Sequence, residues 1–180
     1  MKPKKIVITG GPGTGKTSII NSLEEDGQTC LHEISRSVTL EARAQGIEQL
    51  FVTNPLLFSQ KLLEGRIKQY KEAASTRSDT IFLDRGIPDV IAYMDCFKEN
   101  YGPHFSEACT LHKYDTIFLL PPWEEIYASD NERFEDYNQA VRIHTALKNT
   151  YSSLGYNIVT VPKDTVKKRV DFIYSTLKMN

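Results

Sequence analysis

Five short apolar runs, rich in β-branched residues, are spread along the chain and predict five β-strands. Each run is about as long as a buried strand, and its apolar residues do not alternate with polar ones. This pattern is typical of parallel strands that are covered on both faces. The runs occupy residues 5–9, 29–33, 80–84, 116–120 and 157–161.

Helical patterns fill the intervals between these strands. They occupy residues 16–25, 36–45, 56–74, 89–100, 139–154 and 165–178. Alternation of strand and helix favours an α/β fold in which right-handed crossovers build an open parallel sheet. The Lys and Arg residues of 56–71 are expected on the solvent-facing side of an amphipathic helix. The sequence shows no repeat or linker, so residues 1–180 are predicted to form a single domain.

The first strand leads into a glycine-rich loop that is typical of phosphate binding. The sequence from Gly10 to Thr17 fits G-x-x-x-x-G-K-[ST], between a strand and a helix. Lys16, expected in an exposed loop, should bridge the β- and γ-phosphates, and the Thr17 hydroxyl should ligate Mg²⁺. We therefore predict ATP and Mg²⁺ as ligands, although the motif specifies neither the base nor the phosphoryl acceptor. The predicted nucleotide-binding residues are Gly11, Pro12, Gly13, Thr14, Gly15, Lys16, Thr17 and Ser18.

The third strand ends in a carboxylate, Asp84, followed by Arg85. Ligands of parallel sheets bind beyond the carboxyl ends of the strands, so Asp84 is predicted to hold Mg²⁺ beside the loop. Arg85 would counter phosphate charge, while Asp89 and Tyr93 are candidate substrate contacts one helical turn apart. The alternative is that Asp84 caps a helix and Arg85 is its surface partner.

The second strand also ends in an acidic residue, Glu33, with Arg36 three positions later. A carboxylate at this edge would orient and deprotonate an acceptor hydroxyl, and Arg36 would hold a substrate phosphate. The alternative is a helix-capping carboxylate beside a solvated arginine.

A polar stretch after the fourth strand, roughly residues 123–137, is long for a connection and predicts a short lid. Arg133 would reach the transferring phosphoryl group from this lid, with Arg142 on the next helix as a second candidate. The alternative is a solvated helix with surface ion pairs. The turn at 161–165 is expected to pack against the nucleotide base.

Charge and cysteine content narrow the class of protein. The 22 Lys and Arg residues nearly balance 23 Asp and Glu residues, so the total charge indicates neither a nucleic-acid nor a membrane partner. Three widely spaced cysteines suit reduced thiols, and no apolar run is long enough for a signal or a membrane span. These features predict a cytoplasmic protein, and they leave its oligomeric state open.

Several segments together resemble the NadR-type ATPase domains, which include the nicotinamide-riboside kinase domain and belong to the nucleoside/nucleotide-kinase-like division of P-loop proteins. The similar segments are residues 10–18, 32–36, 82–93, 121–123 and 155–162. The resemblance implies a three-layer fold with strand order 2-3-1-4-5, with Glu33 and Asp84 facing the γ-phosphate. The segment from Asp84 to Asp89 also resembles the Asp-Arg motif of thymidylate and deoxynucleoside kinases, but Gly86 replaces their Tyr or Ser, and their paired lid arginines are missing.

Two functions are compatible with these sequence features. The first is an ATP- and Mg²⁺-dependent kinase that transfers the γ-phosphate to a hydroxyl of an unidentified, nucleoside-like or other small molecule. The second is an ATPase switch or sensor that acts on a protein partner. A signalling GTPase and a transporter ATPase are disfavoured, because the sequence contains no N-K-x-D, D-x-x-G or L-S-G-G-Q motif.

Overall fold

A computed structural model describes residues 2–127 and 136–179 of the chain. Its strands are β1 (Lys4–Gly10), β2 (Thr29–Leu31), β3 (Thr80–Asp84), β4 (Thr116–Leu120) and β5 (Ile158–Thr160). Its helices are α1 (Lys16–Glu25), α2 (Ser35–Ala44), α3 (Leu50–Thr53), α4 (Pro55–Ser75), α5 (Ile87–Cys96), α6 (Pro103–Leu111), α7 (Tyr137–Ser153) and α8 (Val166–Leu177). A single 3₁₀ turn covers Glu124–Ile126.

The five strands form one parallel sheet in the order β2-β3-β1-β4-β5, which confirms the predicted fold class and strand order. The positions of all five strands agree with the sequence prediction. Two strands are shorter than predicted, and β2 ends at Leu31, so Glu33 lies in the connection to α2. The register pairs Ile8 with Asp84, so the end of β3 lies beside the start of the glycine-rich loop.

Alternate residues of the central strands face two separate cores. Ile6, Ile8 and Phe82 lie on the face covered by α1 and α8. Val7 and Leu83 lie on the opposite face, under α4, α5, α6 and α7. The strands are therefore buried on both sides, which explains their uninterrupted apolar character.

Two helices were not predicted, and one predicted helix was too long. Helix α3 has only four residues, of which Leu50 alone is buried, so its pattern is too short to detect. Helix α5 ends at Cys96, because the chain turns through Lys98 with a left-handed φ of 57°. Helix α6 then begins at Pro103, where a proline suits the first helical turn. Across residues 2–127 and 136–179, no helix has both the length and the apolar character that crossing a bilayer requires.

Candidate active site

The glycine-rich loop connects β1 to α1 at the carboxyl edge of the sheet. Gly13 and Gly15 have φ angles of 69° and 83°, a left-handed conformation that glycine adopts without strain. The Thr14 hydroxyl donates to the Gly11 carbonyl at 2.9 Å and tightens the turn. Helix α1 begins directly after this loop, so its free N–H groups lie beside the loop and form a site for phosphate oxygens.

Lys16 is buried, which corrects the expectation that it lies in an exposed loop. Its side chain is enclosed by the loop, and its ammonium donates to the carbonyls of Gly10 and Gly11 at 2.8 Å each. Burial lowers the pKa of Lys16 to about 7, and the charge of Arg85 acts in the same direction. Asp84, Asp89 and Glu33 oppose this shift but do not cancel it. Before a phosphate binds, Lys16 is therefore more easily deprotonated than an ordinary lysine.

Asp84 is a buried carboxylate, 5% exposed, at the end of β3. Its Oδ1 accepts no hydrogen bond from any described residue. Burial raises its pKa, although Lys16 and Arg85 act in the opposite direction. The residue that caps α5 is Gly86, so the alternative of Asp84 as the helix cap does not hold.

This carboxylate fits the predicted magnesium site. An unpaired oxygen in a buried position is stabilised by a cation, and Mg²⁺ is usually held by one or two carboxylates together with substrate phosphates. Thr17, at the start of α1, supplies an exposed hydroxyl beside the same loop. Within the described residues, no group of three or more His, Cys, Asp or Glu residues forms a metal cage. Bound phosphates would supply further oxygen ligands to the ion.

Glu33 accepts hydrogen bonds from the chain at the start of α2 and forms a partly buried ion pair. Its Oε1 accepts from the backbone N–H groups of Ile34 and Ser35 at 3.0 and 3.1 Å, and its Oε2 accepts from the Ser35 hydroxyl. Oε1 also accepts from Nη2 of Arg66 at 2.9 Å. Burial alone would raise the pKa of Glu33, but Arg66, Arg85 and the hydrogen bonds of Ser35 outweigh it and hold the pKa at about 2. The side chain stays ionised and is 27% exposed.

Arg66 was expected on the solvent-facing side of α4, and this prediction was wrong. It is only 3% exposed and extends from α4 to the ends of β2 and β3. Its Nη1 donates to the Asp84 carbonyl at 3.3 Å, in addition to the contact with Glu33. Arg66 therefore joins the two acidic strand ends.

Arg85 and Asp89 form a second pair at the start of α5. Arg85 has a left-handed φ of 75°, and its Nη1 lies 3.5 Å from Asp89 Oδ1 and 3.2 Å from the Tyr93 hydroxyl. Asp89 is 2% exposed and accepts from Thr9 and Tyr151 hydroxyls at 2.5 Å each. Its Oδ2 also accepts from the Gly86 N–H at 3.0 Å. Asp89 thus has protein partners on both oxygens, and it positions Arg85 and α5.

The remaining predicted arginines are either exposed or outside the described residues. Arg36 is exposed on α2, three residues after Glu33, and Arg142 is exposed on α7. Arg133 lies outside the described residues, as does most of the predicted lid at 123–137. The charged cluster of the described site therefore consists of Lys16, Glu33, Arg66, Asp84, Arg85 and Asp89.

Two clefts open near this charged cluster. The first, the loop cleft, has a volume of about 470 Å³ and includes residues of the turn after β5, whose packing against a nucleotide base stays a prediction. It is lined by residues 13–18, Trp123, Ile126, residues 164–166 and Arg169. Thr165 also caps α8 by accepting from the Lys168 N–H at 3.4 Å. The loop cleft therefore extends from the glycine-rich loop to the turn after β5.

The second cleft, the α5 cleft, has a volume of about 790 Å³. It lies between α2, α4 and α5, with Glu33, Arg66 and Arg85 in its wall. Its aromatic residues are Phe51, Phe58, Tyr93 and Phe97. Its other charged residues are Asp89, Arg36 and Arg43 of α2, and Glu99 beyond α5. A cleft of this size that combines aromatic side chains with convergent charged groups suits a small molecule.

The sequence matches the profile of a known protein family over most of its length. The sequence profile of the AAA domain family matches residues 5–169. No curated protein matches the chain.

Solved structures of similar fold include several kinases. Deoxyadenosine kinase from M. mycoides, solved with dCMP and dCDP, superposes with a TM-score of 0.73 at 16% identity, covering 97% of this chain and 98% of the kinase. NadR in complex with NR gives 0.78 at 16% identity, covering 99% of this chain and 52% of NadR. Thymidylate kinase from Candida albicans gives 0.68 at 17% identity, covering 98% and 92%. At these identities the likeness establishes the P-loop kinase-like fold, which agrees with the resemblance found in the sequence.

Proposed function

The chain belongs to the AAA domain family, and from that premise we propose that it is an ATP- and Mg²⁺-dependent kinase that phosphorylates a hydroxyl of a small molecule. The observation that carries this proposal is a pair of clefts on either side of one charged cluster: Lys16 lines the loop cleft, and Glu33, Arg66, Arg85 and Asp89 line the α5 cleft. A protein that only hydrolyses ATP needs the loop cleft and a water molecule. The α5 cleft, with about 790 Å³ and a wall containing Glu33, Arg66 and Arg85, provides room for an acceptor.

In the proposed reaction the acceptor oxygen forms a bond to the γ-phosphorus while the bond from that phosphorus to the β,γ-bridging oxygen breaks. ADP leaves, and the acceptor proton passes to solvent water as the new phosphate ester forms. The transition state of such transfers is loose, so positioning and charge stabilisation account for most of the rate. Lys16 and Arg85 stabilise the phosphate charge from the loop side and the β3 side of the cluster.

Glu33 is proposed to orient the acceptor hydroxyl. A general base works best when its pKa lies near the working pH, and Glu33 has a pKa of about 2. Its carboxylate therefore acts chiefly as a fixed hydrogen-bond acceptor, and the proton leaves late in the transfer. The predicted deprotonating role of Glu33 is reduced to this orienting role.

Asp84 and Thr17 are the residues that would hold Mg²⁺. The ion, when bound, neutralises phosphate charge and fixes the triphosphate geometry. Asp84 has an unpaired Oδ1 for this purpose, which supports the assignment. Arg133 remains a predicted contact to the transferring phosphoryl group.

The α5 cleft favours a nucleoside-like acceptor. Four aromatic side chains, those of Phe51, Phe58, Tyr93 and Phe97, suit a flat ring system, and the kinases of similar fold act on nucleosides or nucleotides according to their names. Arg36 and Arg43 lie seven residues apart on α2, hence on one face, and would attract an anionic group at the cleft entrance.

A crystallographic experiment tests the proposal. Crystals grown with Mg²⁺ and a non-hydrolysable ATP analogue would be soaked in pools of nucleosides and other hydroxyl-bearing metabolites. We expect the analogue in the loop cleft and one pool member in the α5 cleft, with a hydroxyl hydrogen-bonded to Glu33. An α5 cleft that stays empty in every pool, while the loop cleft is filled, would contradict a kinase and favour a nucleotide-dependent switch.

A further inference from the structure

We propose that Arg169 of α8 is a positioning residue that holds the phosphate-binding loop in the shape that receives a polyphosphate. The proposal rests on the proposed function only in taking ATP as the ligand of the loop. It does not depend on which acceptor, if any, receives the phosphate. Neither the loop motif nor the family resemblance assigns a role to this residue.

Arg169 reaches the loop from the far end of the chain. Its side chain is 2% exposed, and its Nη2 donates to the Thr14 carbonyl at 2.9 Å, a contact between residues 155 positions apart. Its guanidinium also lies over the ring of Trp123, with 5.9 Å from the central carbon to the ring centroid. The loop, α8 and the segment after β4 thus meet at one buried arginine.

Gly15 shows how closely the guanidinium packs on the loop. A Cβ atom placed on Gly15 would lie 2.9 Å from Nη1 of Arg169, and Gly15 already has a φ of 83°. Any other residue at this position would be strained and would displace the arginine. The close approach of Arg169 therefore gives the second glycine of the motif a packing role in addition to its conformational one.

The hydrogen bond to Thr14 matters because of how such loops bind anions. Successive N–H groups must point to the phosphate oxygens, so the carbonyls on the other side of the loop need donors of their own. The Lys16 ammonium donates to the carbonyls of Gly10 and Gly11, and the Thr14 hydroxyl donates to the carbonyl of Gly11. Arg169 supplies the donor to Thr14, in the part of the loop that leads into α1.

Arg169 also adds charge to the phosphate site. No described carboxylate pairs with it, and its Nε has no hydrogen-bond partner among the described residues. Burial lowers the pKa of Arg169, as expected for a cation removed from water without a counter-ion. A bound polyphosphate would supply the missing negative charge in the same cleft, since Arg169 lines it together with residues 13–18.

The test compares two ligands across three variants. The ligands are MgATP and magnesium tripolyphosphate, which has the phosphates without the base. The variants are Arg169→Met, which keeps the bulk, Arg169→Lys, which keeps a charged donor, and Lys167→Met as the matched control. Lys167 is an 85% exposed cation of the same helix that contacts Asp171 and no part of the loop. Dissociation constants would be measured by calorimetry at low temperature, with a melting curve of each free variant.

We expect Arg169→Met to weaken the binding of both ligands by the same factor, roughly tenfold or more. This is the scale of one hydrogen bond from a charged donor. Arg169→Lys should restore part of that loss, and Lys167→Met should match the wild type. Affinities of Arg169→Met within about twofold of the wild type for both ligands would overturn the proposal. Weaker ATP binding with unchanged tripolyphosphate binding would also overturn it, because Arg169 would then contact the base. If Arg169→Met does not fold, unchanged tripolyphosphate affinity in a folded Arg169→Ala variant overturns it equally.

The same data separate this proposal from the proposed function. A wild-type chain that binds both ligands but phosphorylates nothing refutes the kinase and leaves the role of Arg169 standing. A wild-type chain that binds neither ligand overturns both.

Discussion

Arg66 donates a hydrogen bond of 2.9 Å to Glu33, although the two residues lie 33 positions apart in the chain. The same guanidinium contacts the carbonyl of Asp84, so one buried arginine bridges the segment after β2 and the end of β3. In the proposed kinase these two carboxylates orient the acceptor and the metal. Their relative position therefore depends on a third residue, which comes from α4.

The Arg66→Met variant should lose stability. It leaves the half-buried Glu33 carboxylate without its cation, at a cost of about 2 kcal/mol after allowance for solvent screening. Glu33 has a pKa of 4.5 in the unfolded chain and about 2 in the folded protein, so this contribution is complete above pH 4.5 and disappears as the pH falls towards 2. Urea unfolding of the wild type and the variant at pH values from about 3 to about 7 measures this contribution to the free energy of unfolding. Lys68→Met, an exposed cation of the same helix, is the control, and equal stability of the two variants would contradict the account.

Lys16 should take up a proton when ATP binds above neutral pH. Its pKa in the free protein is about 7, and phosphate contacts favour the charged form, so at pH 8 binding should absorb close to one proton. Affinity for MgATP should consequently fall as the pH rises above 7. Calorimetry at pH 8 in buffers of different ionisation enthalpy measures the uptake. Lys16→Met should bind far more weakly and without uptake, and equal proton uptake in both proteins would show that Lys16 is not its source.

Asp84→Asn should lower turnover far more than ATP affinity. The amide keeps the size of the side chain and loses the charge that is proposed to hold Mg²⁺. Because the folded-state pKa of Asp84 is raised, the ionised carboxylate destabilises the fold at pH 7, and its removal should not reduce the melting temperature. Steady-state kinetics and melting curves check both points. Asp79→Asn, an exposed carboxylate just before β3, is the control, and near-normal turnover in Asp84→Asn would remove Asp84 from the metal site.

Glu33→Gln should separate acceptor transfer from hydrolysis. The variant loses the charge that orients the hydroxyl, and the transfer rate should fall by about a hundredfold. ATP affinity and slow hydrolysis by water should remain close to normal, since neither uses the α5 cleft. Parallel assays of both rates on one preparation measure this, with Glu41→Gln on α2 as the control. Equal losses of transfer and hydrolysis would show that Glu33 does not act on the acceptor.

The sequence was sufficient for the parts of the site that depend on local structure. The loop from Gly10 to Thr17 is contiguous, so a motif defines it, and Asp84 follows from the rule that sites form at strand ends. The strand order came from family resemblance, because local patterns do not specify which strands are neighbours.

Arg66 and Arg169 were missed because their roles arise from packing between distant segments. Each lies in a helix whose apolar face is formed by other residues. A charged residue in such a helix is expected on the solvent-facing side. For Arg66 one signal was present in the sequence. Gly65 interrupts a long helical pattern, and a Cβ there would collide with Ile34, so the glycine permits α4 to approach the segment after Glu33. No comparable signal precedes Arg169, where Lys167 and Lys168 are exposed.

The most direct test of the proposed kinase is the destination of the γ-phosphate. The wild-type protein would be incubated with Mg²⁺ and ATP labelled in its γ-phosphate, together with pools of nucleosides and other hydroxyl-bearing metabolites, and the products separated by chromatography and mass spectrometry. We predict that at least one pool yields a labelled organic phosphate ester, and that this ester is lost in Asp84→Asn. Label found only in inorganic phosphate in every pool, with ATP consumed at the same rate with or without metabolites, would contradict the account and identify the protein as a hydrolysing switch.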